Sequence, residues 1–194
     1  MIPADTAFVA IDVQNDFCPG GALAVAQGDQ VVPLINRMMP QFPVKVLTQD
    51  WHPADHFSFA ANSPGAEAFS VIDAPYGPQV MWPIHCVQGS AGAKFHPQLQ
   101  TDCVDLIIRK GYRSHIDSYS AFFENDHTTP TGLEGYLRDR GVQSVVMAGL
   151  ATDFCVRFSA VDAAKLGFDV TVLEDGCRAI DMDGSLAAAM AEMA

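Results

Sequence analysis

Residues 144–156 read S-V-V-M-A-G-L-A-T-D-F-C-V, and this stretch decides the fold. Ser144–Leu150 is a short apolar run without strict alternation, the pattern of a strand buried on both faces of a parallel sheet. From Thr152 the pattern becomes helical and continues to Leu166, where Gly167 ends it. A strand feeding directly into a helix is half of a βαβ unit. Working outward, similar runs recur at Ala7–Asp12 (A-F-V-A-I-D), Val44–Asp50 (V-K-V-L-T-Q-D), Val104–Lys110 (V-D-L-I-I-R-K) and Phe168–Glu174 (F-D-V-T-V-L-E). Between them, Asp29 to Phe42 carries an apolar stripe of Val31, Val32, Leu34, Ile35, Met38 and Met39. Leu133–Arg140 is a shorter amphipathic segment that stops at Gly141. The alternation predicts an α/β fold, a single-domain layered arrangement with a mostly parallel central sheet flanked by helices.

Two segments break the rhythm. Residues 51–92 are rich in Pro, Gly, His and Asn and show little periodicity; residues 111–131 are polar and aromatic. A structureless loop of the first length inside a compact domain is usually functional or poorly ordered. The strand pattern resumes with the same character afterwards. The chain 1–194 therefore reads as one domain, with a long insertion at about 51–92. The Ala-rich stretch Leu186 to Ala194 reads as a last helix, cut short.

Composition excludes several classes. Of the 194 residues, 49% are hydrophobic and 18% charged, enough for a sizeable core and unlike a disordered chain. Eleven Lys plus Arg against twenty-three Asp plus Glu give a net charge of −12, which repels nucleic acid and anionic membranes. Five scattered Cys (Cys18, Cys86, Cys103, Cys155, Cys177) contain no CxxC pair, so reduced thiols in the cytoplasm are expected. Met1 to Phe17 lacks a basic start and is broken by Asp5, Asp12 and Asp16, unlike a signal peptide. No run approaches eighteen apolar residues.

Ligands of open parallel sheets bind beyond the carboxyl ends of the strands. The predicted strands end in Asp12, Asp50 and Lys110, and a fourth leads into a helix whose first turn holds Cys155. Two carboxylates, an ammonium and a thiol are thus expected at one edge. Thr152 is a plausible N-cap there, so amide groups, the helix dipole and Lys110 are expected to favour a Cys155 thiolate. Cys86, Cys103 and Cys177 read as core residues, while Cys18 is placed to line a pocket without reacting. Asp50-Trp51-His52, His56 and His85 either offer ligands for zinc, manganese or iron or are polar loop residues whose rings donate to the backbone. Asp50 and His52 share one side of an extended backbone. Pro53 turns His52 away from helical geometry, so His52 and His56 are not a helical metal pair. His96, His115 and His127 read as polar loop residues. Phe17, Trp51, Trp82 and Tyr119 serve either a flat ring or the core.

The blocks A-I-D-V-Q-N-D-F (10–17), T-Q-D-W-H-P-A-D-H-F-S-F (48–59), W-P-I-H-C-V-Q-G (82–89), R-K-G (109–111), D-S-Y-S-A-F (117–122) and G-L-A-T-D-F-C-V (149–156) resemble the nicotinamidases of the isochorismatase-like cysteine hydrolases. The resemblance spans nearly the whole chain in the right order. It implies an amidase that converts nicotinamide to nicotinic acid and ammonia. Cys155 then falls on the nucleophile, Asp12 on the acid/base partner, and Lys110 on the ammonium between them. Asp50, His52 and His85 fall on ligands of one divalent transition metal, zinc first and manganese or iron as alternatives. His56 falls where some relatives coordinate and others do not. The resemblance also implies a cis bend at Leu150–Ala151, an oxyanion hole from the Ala151 and Cys155 amides, and ring contacts from Phe17 and Trp82. It implies a small-molecule substrate, with neither nucleic acid nor membrane as partner, and is compatible with a homo-oligomer. Rival readings are an amidohydrolase of carbamoyl or ureido substrates, which the His-containing blocks oppose, and a non-catalytic α/β binding module with Cys155 in its core.

Overall fold

The computed structural model describes residues 2–194; Met1, where the signal-peptide reading begins, lies outside them. Strands β1 (Thr6–Ile11), β2 (Val44–Asp50), β5 (Leu106–Lys110), β6 (Ser144–Leu150) and β7 (Asp169–Arg178) form one sheet in the order β5-β2-β1-β6-β7. Every pairing in it is parallel. Each residue of β1 is buried, as the central strand of a sheet covered on both faces must be. Helices α1 (Val32–Met38), α2 (Leu133–Asp139), α3 (Arg157–Lys165) and α4 (Ser185–Met193) follow the strands or connect them. The apolar core joins Phe8, Ile35, Leu47, Leu137 and Met147 across the layers, each inaccessible to solvent. Among the described residues no helix is long and apolar enough to cross a membrane.

The α/β reading holds, with local corrections. The expected helix from 29 to 42 is α1 flanked by tight turns at 28–31 and 39–41. Pro33 sits in its first turn, and Pro40 lacks the N–H needed to extend it. β5 starts at Leu106 because Val104 closes a turn onto the Thr101 carbonyl. β7 runs four residues past Glu174, its pairing with β6 shifting register between Met147 and Gly149. The insertion is not structureless: β3 (Val71–Ala74) and β4 (Gly77–Val80) pair as an antiparallel hairpin within it. Of its strand residues only Gln79 is fully buried, so the hairpin carries little of the apolar alternation that marks a core strand.

The strand order reverses between β1 and β6, where chain connections leave in opposite directions and open a crevice. Gly149 makes the closest approach at that seam. It has φ 137°, and a Cβ there would lie 2.1 Å from the Ile11 carbonyl oxygen, so no side chain fits.

Candidate active site

Four neighbouring strand ends build the site. The β2–β5 register pairs Asp50 with Lys110, and the β1–β6 register pairs Ile11, just before Asp12, with Gly149, just before the turn that carries Cys155. Lys110 is fully buried and at the centre. Its Nζ lies 2.6 Å from Asp50 Oδ1, 2.9 Å from Asp12 Oδ2 and 3.5 Å from Cys155 Sγ, and donates to the Ser118 carbonyl at 2.8 Å. Burial alone would strip its proton, but Asp12 and Asp50 outweigh that and hold its pKa well above 10.5. The ammonium stays charged.

Asp12 has φ 47°, a left-handed conformation that strains a non-glycine residue and is common at working sites. Its backbone N–H donates to Thr48 Oγ1 at 3.0 Å, and that hydroxyl donates back to Asp12 Oδ1 at 2.5 Å. Thr48 stands two residues before Asp50 on the same side of β2. Asp12 Oδ2 is within ion-pair distance of Lys110 but off-axis for a hydrogen bond, so it keeps an open acceptor. Burial, opposed by Lys110 and reinforced by Asp50, raises the Asp12 pKa. Asp50 is the reverse: burial would raise it, but Lys110 and His52 hold it well below 3.8.

Cys155 lies in a single wide turn, residues 152–156, between β6 and α3. The Leu150–Ala151 peptide before it is cis. Ala151, not Thr152, stands at the cap, and no side chain caps the turn; Thr152 is already inside it. The turn is closed by Phe154 and Val156, whose N–H groups both donate to the Ala151 carbonyl at 3.1 Å. The expected thiolate meets opposing influences in the folded site. Burial raises the Cys155 pKa well above 9.0, and Asp12 and Asp50 add to it against the opposing pull of Lys110. The sequence reading counted the positive neighbours and omitted desolvation and the carboxylates. Burial and the two carboxylates thus favour the thiol, with the Asp12 carboxylate beside it.

A second cluster adjoins the first. Asp50 Oδ2 lies 3.1 Å from His52 Nε2 and 3.6 Å from His85 Nε2. Each imidazole has its Nδ1 2.8 Å from a carbonyl, of Gly111 for His52 and of Pro83 for His85. A carbonyl only accepts, so both Nδ1 atoms carry hydrogen and both Nε2 atoms turn toward the carboxylate. Neutral rings in that arrangement would face lone pairs with lone pairs. The site therefore calls for positive charge: burial lowers the His52 pKa, yet Asp50 brings it up to about 9. One carboxylate oxygen and two Nε2 atoms, each oriented from behind, fit a divalent transition ion. Gly111 makes the room, since a Cβ there would lie 2.5 Å from His52 Cε1.

The His56 ring lies tilted by 49° against His52 with centroids 4.5 Å apart, and with His52 and Asp117 it forms a second close group. Its atoms are already engaged. His56 Nε2 lies 3.1 Å from the Ile116 carbonyl and Nδ1 2.8 Å from Ser58 Oγ, while Asp117 accepts from the Ser118 N–H and the Gln79 amide. Burial lowers the His56 pKa, consistent with a neutral ring. In the first group two imidazole Nε2 atoms turn toward one carboxylate oxygen, whereas in the second the His56 nitrogens face a carbonyl and a hydroxyl.

Phe17, Asp50, Trp82, His85, Tyr119, Ala151 and Cys155 line one tight cavity beside these clusters, and Asp12, Lys110 and His52 stand behind it. Its free space is about 20 Å³, one water's worth. Trp51 stays outside, with the Arg109 guanidinium 3.9 Å above its ring. Cys18 lines a different groove, with Asp16 and His96. His115 and His127 join neither cluster.

Sequence reasoning missed Leu23, Phe154 and Ile180 in the cavity wall, and Asp117 with them. Phe154 and Asp117 stand inside motifs already singled out; Leu23 and Ile180 lie in irregular segments that carry no periodic signal. It also missed Asp153, whose buried carboxylate accepts from the Ile180 N–H (3.0 Å), the Asp181 N–H (2.8 Å) and the Ser185 hydroxyl (2.5 Å). A separate groove of about 370 Å³ between α3, β7 and α4 is largely apolar and gathers no such chemistry.

Known proteins resemble this chain in sequence and fold. The isochorismatase domain model matches residues 6–194. A nicotinamidase of Acinetobacter baylyi is 54% identical over 187 residues, 96% of this chain and 87% of the relative. The solved structure of an Acinetobacter baumanii nicotinamidase and pyrazinamidase superposes with a TM-score of 0.97 at 55% identity, covering 98% of this chain and 92% of that one. A Pyrococcus horikoshii pyrazinamidase solved in complex with zinc follows at 35% identity and a TM-score of 0.78, with 97% and 94% covered. A model match over nearly the full length, joined to relatives well above 30% identity, places this chain in the isochorismatase family.

Proposed function

We propose that the chain hydrolyses nicotinamide to nicotinate and ammonia through a thioester on Cys155. The observation that carries this is the meeting of Cys155 Sγ, Lys110 Nζ and the Asp12 carboxylate at a cavity walled by Trp82, Tyr119 and Phe17. An amide is a poor electrophile with a poor leaving group, so its hydrolysis needs an activated nucleophile and a proton donor for nitrogen. Asp12 takes the thiol proton as sulfur bonds to the amide carbon. The developing oxyanion meets the Ala151 and Cys155 N–H groups, a donor of this kind contributing roughly 3 kcal/mol. Asp12 then gives its proton to the departing ammonia. In the second half, water attacks the thioester, Asp12 accepts a proton from it, and the sulfur leaves and is reprotonated. Lys110 keeps both carboxylates apart in charge throughout.

Asp50, His52 and His85 would hold the metal, and the two-imidazole, one-carboxylate donor set suits zinc, the ion found with the Pyrococcus relative. When bound, the ion supplies a Lewis-acid contact that orients the pyridine nitrogen. The whole chain would act as one hydrolase unit, with residues 51–92 contributing the imidazoles and the ring wall. Five free cysteines agree with a cytoplasmic setting. The test is ammonia release from nicotinamide by the metal-loaded protein and by Cys155→Ala. The variant should lose about a thousandfold or more in turnover while still binding nicotinate. Undiminished turnover in Cys155→Ala would overturn the assignment.

A further inference from the structure

The β3–β4 hairpin has a single fully buried side chain, and it is a polar one, Gln79. A buried primary amide is costly unless its bonds are made. Gln79 makes them on both sides. Its Nε2 contacts Asp117 Oδ2 at 2.8 Å, Tyr119 Oη at 2.9 Å and the Val80 carbonyl at 2.7 Å. Its Oε1 accepts from Tyr76 Oη and Asn125 Nδ2, each at 3.0 Å. The orientation is fixed, since the flipped amide would set oxygen against the Asp117 carboxylate and nitrogen against a donor. Trp82 Nε1 donates to the same Tyr119 Oη at 3.1 Å. Asp117, Tyr119 and Trp82 all face the cavity, whereas Gln79 stands behind them.

We infer that Gln79 is a positioning residue that sets the Trp82–Tyr119–Asp117 wall and, through it, the fit of the aromatic ring. The inference rests on the proposed reaction. Two cavity groups of different character are tied directly to one amide, and Trp82 is tied to it through the Tyr119 hydroxyl. In a cavity this tight, a small displacement of the wall changes how the ring seats. Gln79 touches none of the reacting atoms, so its loss acts on binding in the ground and transition states alike, raising KM and sparing kcat.

The experiment compares ammonia release from nicotinamide by the metal-loaded wild type, Gln79→Met, Tyr76→Phe, Tyr119→Phe and the Gln79→Met/Tyr119→Phe double variant. Met keeps the length and removes every hydrogen bond. KM for Gln79→Met should rise about five- to tenfold, the equivalent of one lost hydrogen bond, with kcat within about twofold of wild type. Tyr76→Phe, which removes the bond to Gln79 Oε1 at 3.0 Å together with a long one from the Asp117 N–H at 3.4 Å, should move KM the same way by less. In the Tyr119→Phe background, Gln79→Met should add less than about twofold. An unchanged KM, a loss confined to kcat, or additive effects in the double variant would each overturn the inference. Should Gln79→Met fail to fold, an unchanged KM in Tyr76→Phe does so instead. A wild type inert toward nicotinamide sinks both readings; an active one with unaltered variants sinks this one alone.

Discussion

At the scale of single residues, protonation decides what the site can do. Cys155 was legible as a candidate from one local feature, a cysteine in the first turn after a strand end. Its protonation state was not, because desolvation and the approach of Asp12 and Asp50 are properties of the folded interior. Asp12 must be ionised to take the thiol proton, and its pKa lies above 3.8. Hence kcat/KM should fall as pH drops through that raised value, giving an acid limb above that of an ordinary aspartate; a limb at or below the ordinary value would contradict the role given to Asp12. Asp12→Asn should abolish turnover at every pH. Lys110 is harder to replace. Lys110→Met leaves the buried Asp12 carboxylate without its ammonium and Asp50 with only its imidazole side paired, a loss that typically costs about 3–5 kcal/mol. Denaturant titration should show that drop, together with loss of activity.

Among the elements, the strands of the main sheet and the helices around it were readable because burial on both faces and helical periodicity are strong local signals. The irregular parts were not, and they supply much of the cavity wall. Ile180 follows β7 in a segment with Asp181 at φ 56° and Asp183 at φ 49°, conformations that no apolar pattern encodes. That segment is held by one side chain, Asp153, which takes three hydrogen bonds from it. Asp153→Ala would remove the acceptor of the half-buried Ile180 N–H, the exposed Asp181 N–H and the Ser185 hydroxyl, so a loss of about 1–3 kcal/mol is expected. Ile180 forms part of the cavity wall, so KM for nicotinamide should rise as well. Thermal unfolding and steady-state kinetics check the two effects separately; wild-type values in both would show that the segment holds itself.

For the molecule as a whole, the order in which strands lie side by side was not written in any one stretch, although the parallel class was. Right-handed crossovers restrict the choices, and the observed order sets the ends of β1 and β6 together at the reversal. The sequence supplied the chemical groups at strand ends, and the topology made them neighbours. The metal-loaded protein should contain one divalent ion per chain by elemental analysis, and His85→Ala should contain much less. An ion present at about a hundred times its dissociation constant would add about 2.7 kcal/mol to stability, so chelation should lower Tm by several degrees. No shift on chelation would argue against an ion at this position. Asp50 gives the design its least separable part, because one of its oxygens meets the ammonium and the other meets both imidazoles. That carboxylate is a shared hinge-pin: selection cannot retune how the ring is gripped without also disturbing the machinery that cleaves the bond, and the two tasks must evolve as one.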